Sequence, residues 1–403
     1  MNDAPLFSVI IPVLNNWNLT RACLHSLKKH GPDRAFEVIV VDNGSSDATA
    51  AVLEPLGRSL FGARFKRLRF EENRNFGPAC NAGALAAGAD LLFFLNNDTL
   101  LTPGWAPPLL AAFAEAPDLG AAGPLLLYEN NTVQHLGVYC SLDRVGHLYR
   151  GFPRDHPAVF KKRRLKALTA AALMTPRRLF LELEGFFEGF VNGFEDVDFC
   201  LRLGRQGLAM VCVPDSVVYH LESRTPGRRD GESRNTALLS SRHPGVTAPD
   251  LHLHGARDGF KPVISEALDL NLHMTGADEK RLLQEAGQDL EALFALSRAN
   301  PLWVKGRELL CARYFELGDL DAALAMLVEL ANILLSVAAC ESYLAACERF
   351  GRNPVAGALP TLALLKAAKQ DARRVRVLYR RYRRLGDAGL DRLLDEYLAP
   401  LLP

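Results

Sequence analysis

The chain has 403 residues, of which 23% are charged, and its formal net charge is +1. This length predicts two or three domains, and the balanced charge gives no overall attraction to nucleic acid or anionic lipid. No apolar run reaches about 18 residues, and the N-terminus lacks a basic, long apolar leader. We therefore expect a cytoplasmic protein without a signal peptide or membrane span. The eight cysteines form no C-x-x-C pair, which predicts neither a disulfide framework nor a zinc site.

The N-terminal half alternates strands with helices. Apolar strands are predicted at 7–13, 36–41, 65–70 and 91–95, and a helix is predicted after each of them. The fourth helix is predicted to begin at Thr102 and Pro103, a typical cap and first helical residue. Alternation at this pace predicts an α/β fold with a doubly wound, mostly parallel sheet. Ligands are expected at the carboxyl edge of such a sheet.

Polar side chains follow the predicted strands at that edge. The apolar run Leu91–Leu95 leads directly into Asn96, Asn97 and Asp98, and Asp42 closes the second strand. A carboxylate in this place is typical of a site that holds Mg²⁺ or Mn²⁺ against a diphosphate. The same residues are also common in plain turns, so each motif alone leaves both interpretations open.

Seven short segments give these motifs a specific order over the first 220 residues. They lie at 8–12, 40–47, 73–83, 95–99, 185–190, 195–202 and 213–220. In this order the chain resembles the inverting nucleotide-sugar glycosyltransferases with a GT-A fold. The resemblance is to the branch that includes bacterial rhamnosyl- and galactofuranosyl-transferases.

The resemblance implies a donor site for a UDP-, dTDP- or GDP-linked sugar. Asn75 stands where the family often has glycine, so we expect a backbone conformation that asparagine tolerates better than most residues. Arg74 is placed over the donor phosphates. The residues implied in donor binding are Pro12, Val13, Asn15, Asp42, Asn43, Arg74, Asn75, Gly77, Asn81, Asn96 and Asn97.

The resemblance also implies a divalent metal, Mn²⁺ or Mg²⁺, with Asp98 as its principal ligand and His220 as a second. Asn96 replaces the first aspartate of the family's D-x-D motif, so metal affinity without nucleotide should be low. Asp196 is implied as the base that deprotonates the acceptor hydroxyl, with Glu195 orienting the acceptor. An acidic first helical turn, favoured by the helix dipole, is the alternative interpretation of both carboxylates.

The second half differs in composition. We predict a glycosyltransferase domain at 1–222, an active-site flap and linker at 223–264, and an all-α region at 265–403. The α-helical region contains one hairpin that resembles a tetratricopeptide repeat. An arginine-rich segment, 373–384, is either a solvated helix face or a contact for anionic lipid, a lipid-linked acceptor or an acidic protein.

The sequence therefore predicts a metal-dependent inverting glycosyltransferase. The acceptor hydroxyl is left open between a cell-surface polysaccharide, a lipid-linked glycan and a protein. Peripheral contact with the inner face of the membrane and a homodimer through the C-terminal helices also remain open. The alternative is an inactive nucleotide-sugar-binding scaffold that acts through its helices, and nucleic acid is not an expected partner.

Overall fold

The computed structural model describes residues 5–32, 36–142, 144–221, 232–244 and 247–402. The chain divides into two compact units. The first consists of residues 1–139 and 146–247, and the second of 140–145 and 248–403. The division thus falls at 247/248, whereas the sequence placed boundaries at 222 and 264.

The first unit is built on a mixed sheet. Its strands are β1 Ser8–Val13, β2 Glu37–Asn43, β3 Phe65–Phe70, β4 Leu91–Leu95, β5 Thr99–Leu101, β6 Leu119–Leu127, β7 Val133–His135, β10 Ala172–Pro176 and β11 Ala209–His220. The short strands β8 Val138–Cys140 and β9 Val145–His147 pair with each other. The order of the large sheet is β3-β2-β1-β4-β10-β6-β11-β5, with β7 on β6. The predicted α/β fold class is confirmed. Strands β1 to β4 are parallel, whereas β10 and β5 run antiparallel to their neighbours.

Strand register brings the polar strand ends to one edge. Val13 lies beside Asp42 in the β1–β2 pair, and Asp42 lies beside Arg69 in the β2–β3 pair. At the other end of the sheet, His220 of β11 is paired with Thr99 of β5. The turn between β4 and β5 therefore carries Asp98 next to the end of β11.

Helices cover the sheet. They are α1 Trp17–His30, α2 Thr49–Phe61, α3 Phe76–Ala86, α4 Ala106–Glu115, α5 Arg177–Glu182, α6 Glu195–Arg205 and α7 Glu232–Arg242. Leu24 and Leu27 of α1 pack into a core that also contains Phe93 and Trp105. The predicted helix start at Thr102 is wrong, because the chain first forms β5 against β11 and enters α4 only at Ala106.

The second unit is mainly helical, as predicted for the C-terminal region. It contains α8 Leu251–Asp258, the hairpin β12 Lys261–Ile264 and β13 Leu270–His273, and helices α9 Gly276–Ala286, α10 Leu290–Ala299, α11 Val304–Glu316, α12 Leu320–Leu334, α13 Val337–Arg349, α14 Ala358–Gln370, α15 Ala372–Arg383 and α16 Ala388–Leu393. Six of these helices begin at a residue whose side chain accepts a hydrogen bond from a backbone N–H of the first turn. These caps are Thr275, Asp289, Asp319, Ser336, Asp371 and Asp387.

The segment predicted as flap and linker, 223–264, is partly regular. Its described residues include helices α7 and α8 and strand β12, while 222–231 and 245–246 lie outside the described residues. Within the ranges that the structure describes, no helix is long and apolar enough to cross a bilayer.

Candidate functional site

The turn between β4 and β5 brings Asp98 to His220. Asp98 Oδ1 lies 3.1 Å from His220 Nε2, and the side chains are 16% and 5% exposed. Asn96 Nδ2 lies 3.4 Å from the same ring nitrogen. Three predicted residues from two separate motifs, two for metal and one for donor binding, therefore meet around one atom.

Gln134 of β7 fixes the orientation of the His220 ring. Its Nε2 donates to the backbone oxygen of His220 at 3.0 Å, so its Oε1 is the atom that faces Nδ1 at 2.6 Å. An amide oxygen is an acceptor only, which requires Nδ1 to carry the hydrogen. In the neutral imidazole, Nε2 then presents its lone pair toward Asp98. Sequence reasoning missed Gln134, since no local pattern marks it.

The arrangement fits a cation. A carboxylate oxygen and an imidazole lone pair 3.1 Å apart repel each other unless a proton or a cation lies between them. Carboxylate oxygen and neutral imidazole are acceptable ligands for Mn²⁺. In the described part of the chain, no group of three or more His, Cys, Asp or Glu side chains is placed to hold a metal ion. Asp98 and His220 would therefore need further oxygen ligands from a bound diphosphate.

Asp196 lies in the first turn of α6 and is connected to Asn96 through a short backbone segment. Its Oδ2 accepts the N–H of Ala170 at 2.8 Å, and its Oδ1 accepts the N–H of Val197 at 2.8 Å. The carbonyl of Ala171 accepts the N–H of Asn96 at 2.9 Å. We call residues 169–171 the connecting segment, because they join Asp196 to the turn between β4 and β5, which carries Asp98. We call this turn the metal-side turn.

A buried histidine, His135, holds the first residue of the connecting segment. The N–H of Thr169 donates to Nε2 of His135 at 3.2 Å, and Nδ1 of His135 lies 2.7 Å from Nδ1 of His147. Burial, and then the neighbouring His147 and His220, hold the pKa of His135 well below its ordinary value. His135 is therefore neutral at physiological pH and serves as an acceptor at Nε2.

Glu195, the neighbour of Asp196, is buried beside the first turn of α3. A Cβ on Gly77 would lie 3.6 Å from Cγ of Glu195, which is ordinary contact. Burial raises the pKa of the Cys80 thiol well above its ordinary value, and the charges of Glu195 and Asp196 raise it further. The helices that carry these groups, α3 and α6, thus begin side by side.

Asp198 has a structural role. It is fully buried, and its carboxylate receives Arg202 at 2.8 Å, Arg242 at 2.7 Å and His243 at 2.8 Å. Burial opposes its charge, but hydrogen bonds from Arg242 and His243 and the nearby Arg202 hold its pKa below the ordinary value. These contacts anchor α7 to α6.

Helix α7 also packs on the loop before α6. Asn235 donates to the carbonyls of Val191 and Gly193, at 3.0 and 3.1 Å, and the Arg242 guanidinium lies 3.6 Å from the Phe187 ring centroid. No helical pattern was apparent in this part of the sequence. The acidic partner of the α7 arginine lies 44 residues earlier in the chain.

On the opposite side of the sheet edge, hydrogen bonds join the β1–α1 loop to the β2–α2 loop. Asn15 Oδ1 accepts the N–H groups of Ser46 and Asp47, at 2.8 and 3.1 Å, and the Asn15 N–H donates to Ser45 Oγ at 2.8 Å. Pro12 and Val13 lie in the last residues of β1, directly before this loop. These three predicted donor residues thus shape one wall of the edge, and their ligand contact stays a prediction.

The Asp42 carboxylate forms ion pairs with two arginines that were not among the predicted site residues. Its side chain is fully buried, and Oδ2 accepts from Arg67 at 2.6 Å and Arg69 at 2.7 Å. Burial opposes ionisation, but hydrogen bonds from Arg67 and Ser45 and the charge of Arg69 hold the Asp42 pKa below its ordinary value. The paired spacing of Arg67 and Arg69 on one face of β3 was the available signal.

Hydrogen bonds of asparagine side chains hold the loop before α3 together. Asn43 donates to Asn73 Oδ1 at 2.9 Å and to the Asn75 carbonyl at 3.0 Å, and it accepts the Arg74 N–H at 2.9 Å. Asn75 has φ 68° and ψ 179°, a region that is nearly restricted to glycine. The expected special backbone at Asn75 is therefore present. The Arg74 guanidinium lies 4.7 Å from the Phe70 ring centroid.

Two predicted donor residues are engaged elsewhere. Asn81 Oδ1 accepts the Phe186 N–H at 2.9 Å, and its Nδ2 donates to the Phe186 carbonyl at 2.9 Å and to Glu188 at 3.0 Å. Asn97 Nδ2 donates to Thr20 Oγ1 at 2.9 Å. Because these contacts occupy the Asn81 amide, we leave Asn81 out of the donor site proposed below.

Comparison with known proteins finds matches to the first part of the chain. Residues 8–167 match the family model described as Glycosyl transferase family 2. The chain is 33% identical over 231 residues to the O-antigen biosynthesis protein RfbC of Myxococcus xanthus, a match that covers 55% of the chain and 18% of the relative. It is 29% identical over 253 residues to the N-acetylglucosaminyl-diphospho-decaprenol L-rhamnosyltransferase of Mycobacterium tuberculosis strain H37Rv, which covers 53% of the chain and 77% of the relative.

The relatives matched at more than 30% identity are much longer than this chain, which spans 26% and 18% of their lengths. Among solved structures, a mannosyltransferase from Pyrobaculum calidifontis with GDP-Man and Mn²⁺ aligns with a TM-score of 0.46 and 18% identity. That alignment covers 91% of this chain and 86% of the other. At this distance no residue role is transferred.

Proposed function

We propose that this chain, whose N-terminal part is a glycosyltransferase family 2 domain, transfers a sugar from a nucleoside-diphosphate donor to an acceptor hydroxyl with inversion of configuration. The observation that carries the proposal is the linked pair of polar sites at one edge of the sheet. Asp98 and His220 form the first, and Asp196 forms the second. The connecting segment, residues 169–171, joins Asp196 to the backbone of Asn96, two residues before Asp98, through hydrogen bonds of 2.8 and 2.9 Å.

The donor site is proposed to lie along the strand ends from β1 to β4. Asn15, Asn43 and the strained Asn75 shape its loops, and Asp42 supports them through Arg67 and Arg69. Asp42 itself is fully buried and paired with two arginines, so we assign it to positioning of these loops. Pro12, Val13, Arg74, Gly77, Asn96 and Asn97 remain proposed donor neighbours.

A divalent cation, Mn²⁺ or Mg²⁺, would be held by Asp98 and His220 together with oxygens of the donor diphosphate. When bound, such an ion stabilises negative charge on the leaving nucleoside diphosphate. Asn96 is neutral and contributes no charge, so the binding of metal and nucleotide should each depend on the other. Gln134 holds His220 Nε2 toward this site.

Asp196 is proposed to take the proton from the acceptor hydroxyl as the new bond forms. Its carboxylate accepts two backbone N–H groups, from Ala170 and Val197, which fix its position. A positioned base of this kind contributes about 10²–10⁴-fold to the rate. Glu195 is proposed to orient the acceptor at the start of α6.

The acceptor is proposed to be a hydroxyl of a glycan, which is either lipid-linked or part of a larger polymer. This proposal rests on the rhamnosyltransferase and O-antigen relatives, whose names indicate glycan products. A protein acceptor is not favoured by any described contact.

The proposal is tested by measuring the thermal stability of the full chain with UDP-, dTDP- and GDP-sugars, each with and without Mn²⁺. A ligand that binds the native state raises its apparent stability by mass action, by about 2.7 kcal/mol at 100 times Kd. We expect a metal-dependent increase with one nucleotide class, and release of that nucleoside diphosphate when an acceptor glycan is added. No stabilisation by any donor, with or without metal, would contradict the proposal.

A further inference from the structure

The surface of α15 carries an unusual density of positive charge. Seven arginines lie between 373 and 384, and the buried residues Val375, Leu378 and Tyr382 occupy the opposite face of the helix. Five of the exposed residues fall within about 100° of the helix circumference at 3.6 residues per turn. This set, which we call the arginine face, consists of Arg373, Arg376, Val377, Arg380 and Arg384, and the exposed Arg381 and Arg383 flank it.

Several of these charges are not neutralised within the protein. Among the described residues, no carboxylate lies within ion-pair distance of Arg376, Arg380 or Arg384. The neighbouring Arg383 is different, because it pairs with Asp395 at 2.9 Å and Asp391 at 3.7 Å. The positive potential of the arginine face is therefore directed outward.

A concave feature accompanies the charge. A depression of about 400 Å³ is lined by Tyr379, Arg380, Arg383 and Arg384. A guanidinium binds phosphate oxygens in a planar, bidentate geometry, and two unpaired guanidinium groups at one depression suit a phosphate diester.

Exposed apolar side chains lie among the arginines. Val377, at one side of the arginine face, is 55% exposed, and Leu385, directly after this face in the sequence, is 43% exposed. Apolar groups on a basic helix face contribute to binding at a lipid interface, where they leave water, but not to binding of a phosphate backbone in water. This combination favours a membrane surface over a nucleic acid.

From the charge, the depression and the apolar residues together, we propose that the arginine face binds the surface of an anionic lipid bilayer. The lipid phosphates would contact Arg376, Arg380 and Arg384, and Val377 would enter the interface. This inference is independent of the proposed transfer reaction, because it concerns only the second unit.

The test is co-sedimentation of the full chain with vesicles of phosphatidylcholine, prepared with and without phosphatidylglycerol. We expect binding only to the vesicles that contain phosphatidylglycerol, and weaker binding as salt rises. Each arginine near an anionic surface contributes about 1 kcal/mol, so the triple variant Arg376→Gln, Arg380→Gln, Arg384→Gln should bind about 100-fold more weakly.

A matched control changes the same charge elsewhere in the second unit. Lys280, Arg281 and Arg298 are exposed on α9 and α10, and their replacement by glutamine should leave vesicle binding within about twofold. Val377→Ser keeps every charge and should weaken vesicle binding up to about tenfold. All variants alter exposed residues, and their thermal unfolding is measured alongside.

Three results would overturn the proposal. The first is no binding of the wild-type chain to vesicles with phosphatidylglycerol. The second is equal loss of binding in the triple variant and the control variant. The third is a combination of two observations: the wild-type chain binds a DNA duplex and the triple variant does not, and Val377→Ser leaves vesicle binding unchanged. This pattern would identify the arginine face as a nucleic-acid surface.

Discussion

Replacement of Gln134 by leucine should release the His220 ring from the orientation in which its Nε2 faces Asp98. Leucine has a similar volume but removes the 3.0 Å bond to the His220 carbonyl and the 2.6 Å contact with Nδ1. Gln134 is 4% exposed, so water does not readily replace these bonds. Each buried polar group left without its partner costs about 1–3 kcal/mol.

Loss of these bonds leaves the His220 ring free to rotate and to change tautomer. Groups that orient a metal-ligating histidine typically contribute 10–100-fold to metal affinity, or about 1.4–2.8 kcal/mol. The Mn²⁺ concentration for half-saturation, measured by electron paramagnetic resonance in the presence of the nucleoside diphosphate, should therefore rise about 10–100-fold. Nucleotide affinity without metal should not change.

The control is Gln288→Leu, which alters an exposed glutamine that accepts from Arg313 in the helical unit. It should leave Mn²⁺ affinity at the wild-type value. If folded Gln134→Leu protein binds Mn²⁺ as tightly as the wild type, the orientation of His220 by Gln134 is irrelevant to metal binding, and our assignment of Nε2 as a ligand is refuted.

Three further predictions concern stability and pH. Asn75→Gly should raise the free energy of unfolding by about 1 kcal/mol, and Asn75→Ala should lower it by about 1–2 kcal/mol, because only glycine relaxes at φ 68° and ψ 179°; equal urea midpoints for the two variants would contradict this. Asp42→Asn should lower the free energy of unfolding by about 3–5 kcal/mol, because it leaves the nearly buried Arg67 without its charged partner; a loss below about 1 kcal/mol in urea denaturation would show that the pair is not structural. The pKa of His135 is depressed in the folded state, so on acidification the unfolded state takes up a proton first. The contribution of neutral His135 to the free energy of unfolding is therefore complete above about pH 6.5. It is lost as the pH falls toward the folded-state pKa, by up to about 1.4 kcal/mol per pH unit. His135→Gln should therefore make stability less dependent on pH between about 7 and 5, and an unchanged pH dependence in denaturant titrations would exclude His135 as its source.

Local sequence patterns predicted the strands and the residues at their ends. The unbroken apolar run before Asn96 required a buried strand, and its neighbours in the sheet place Asp98 at the carboxyl edge. The special backbone at Asn75 was also predictable, because the family that the chain resembles often has glycine at that position. The closeness of Asp98 and His220 followed from the resemblance, and the structure contains it.

The supporting groups were not predictable, because they are distant in sequence and have no periodic signature. Gln134 reaches His220 across 86 residues, and Ala170 reaches Asp196 across 26. Strand β5 was missed because its three residues are recognised only through pairing with β11. The pairing of Asp42 with Arg67 and Arg69 was not predicted, because the two arginines belong to a strand whose register the sequence does not specify.

The central claim is that Asp196 acts as the base in transfer from a nucleotide sugar. The direct test measures donor affinity and the rate of nucleoside-diphosphate release, with donor, Mn²⁺ and an acceptor glycan, for the wild type and for Asp196→Asn. We predict that release falls by about 10²–10⁴-fold while donor affinity stays within about threefold. Undiminished release from the variant, at wild-type donor affinity, would remove Asp196 from the mechanism.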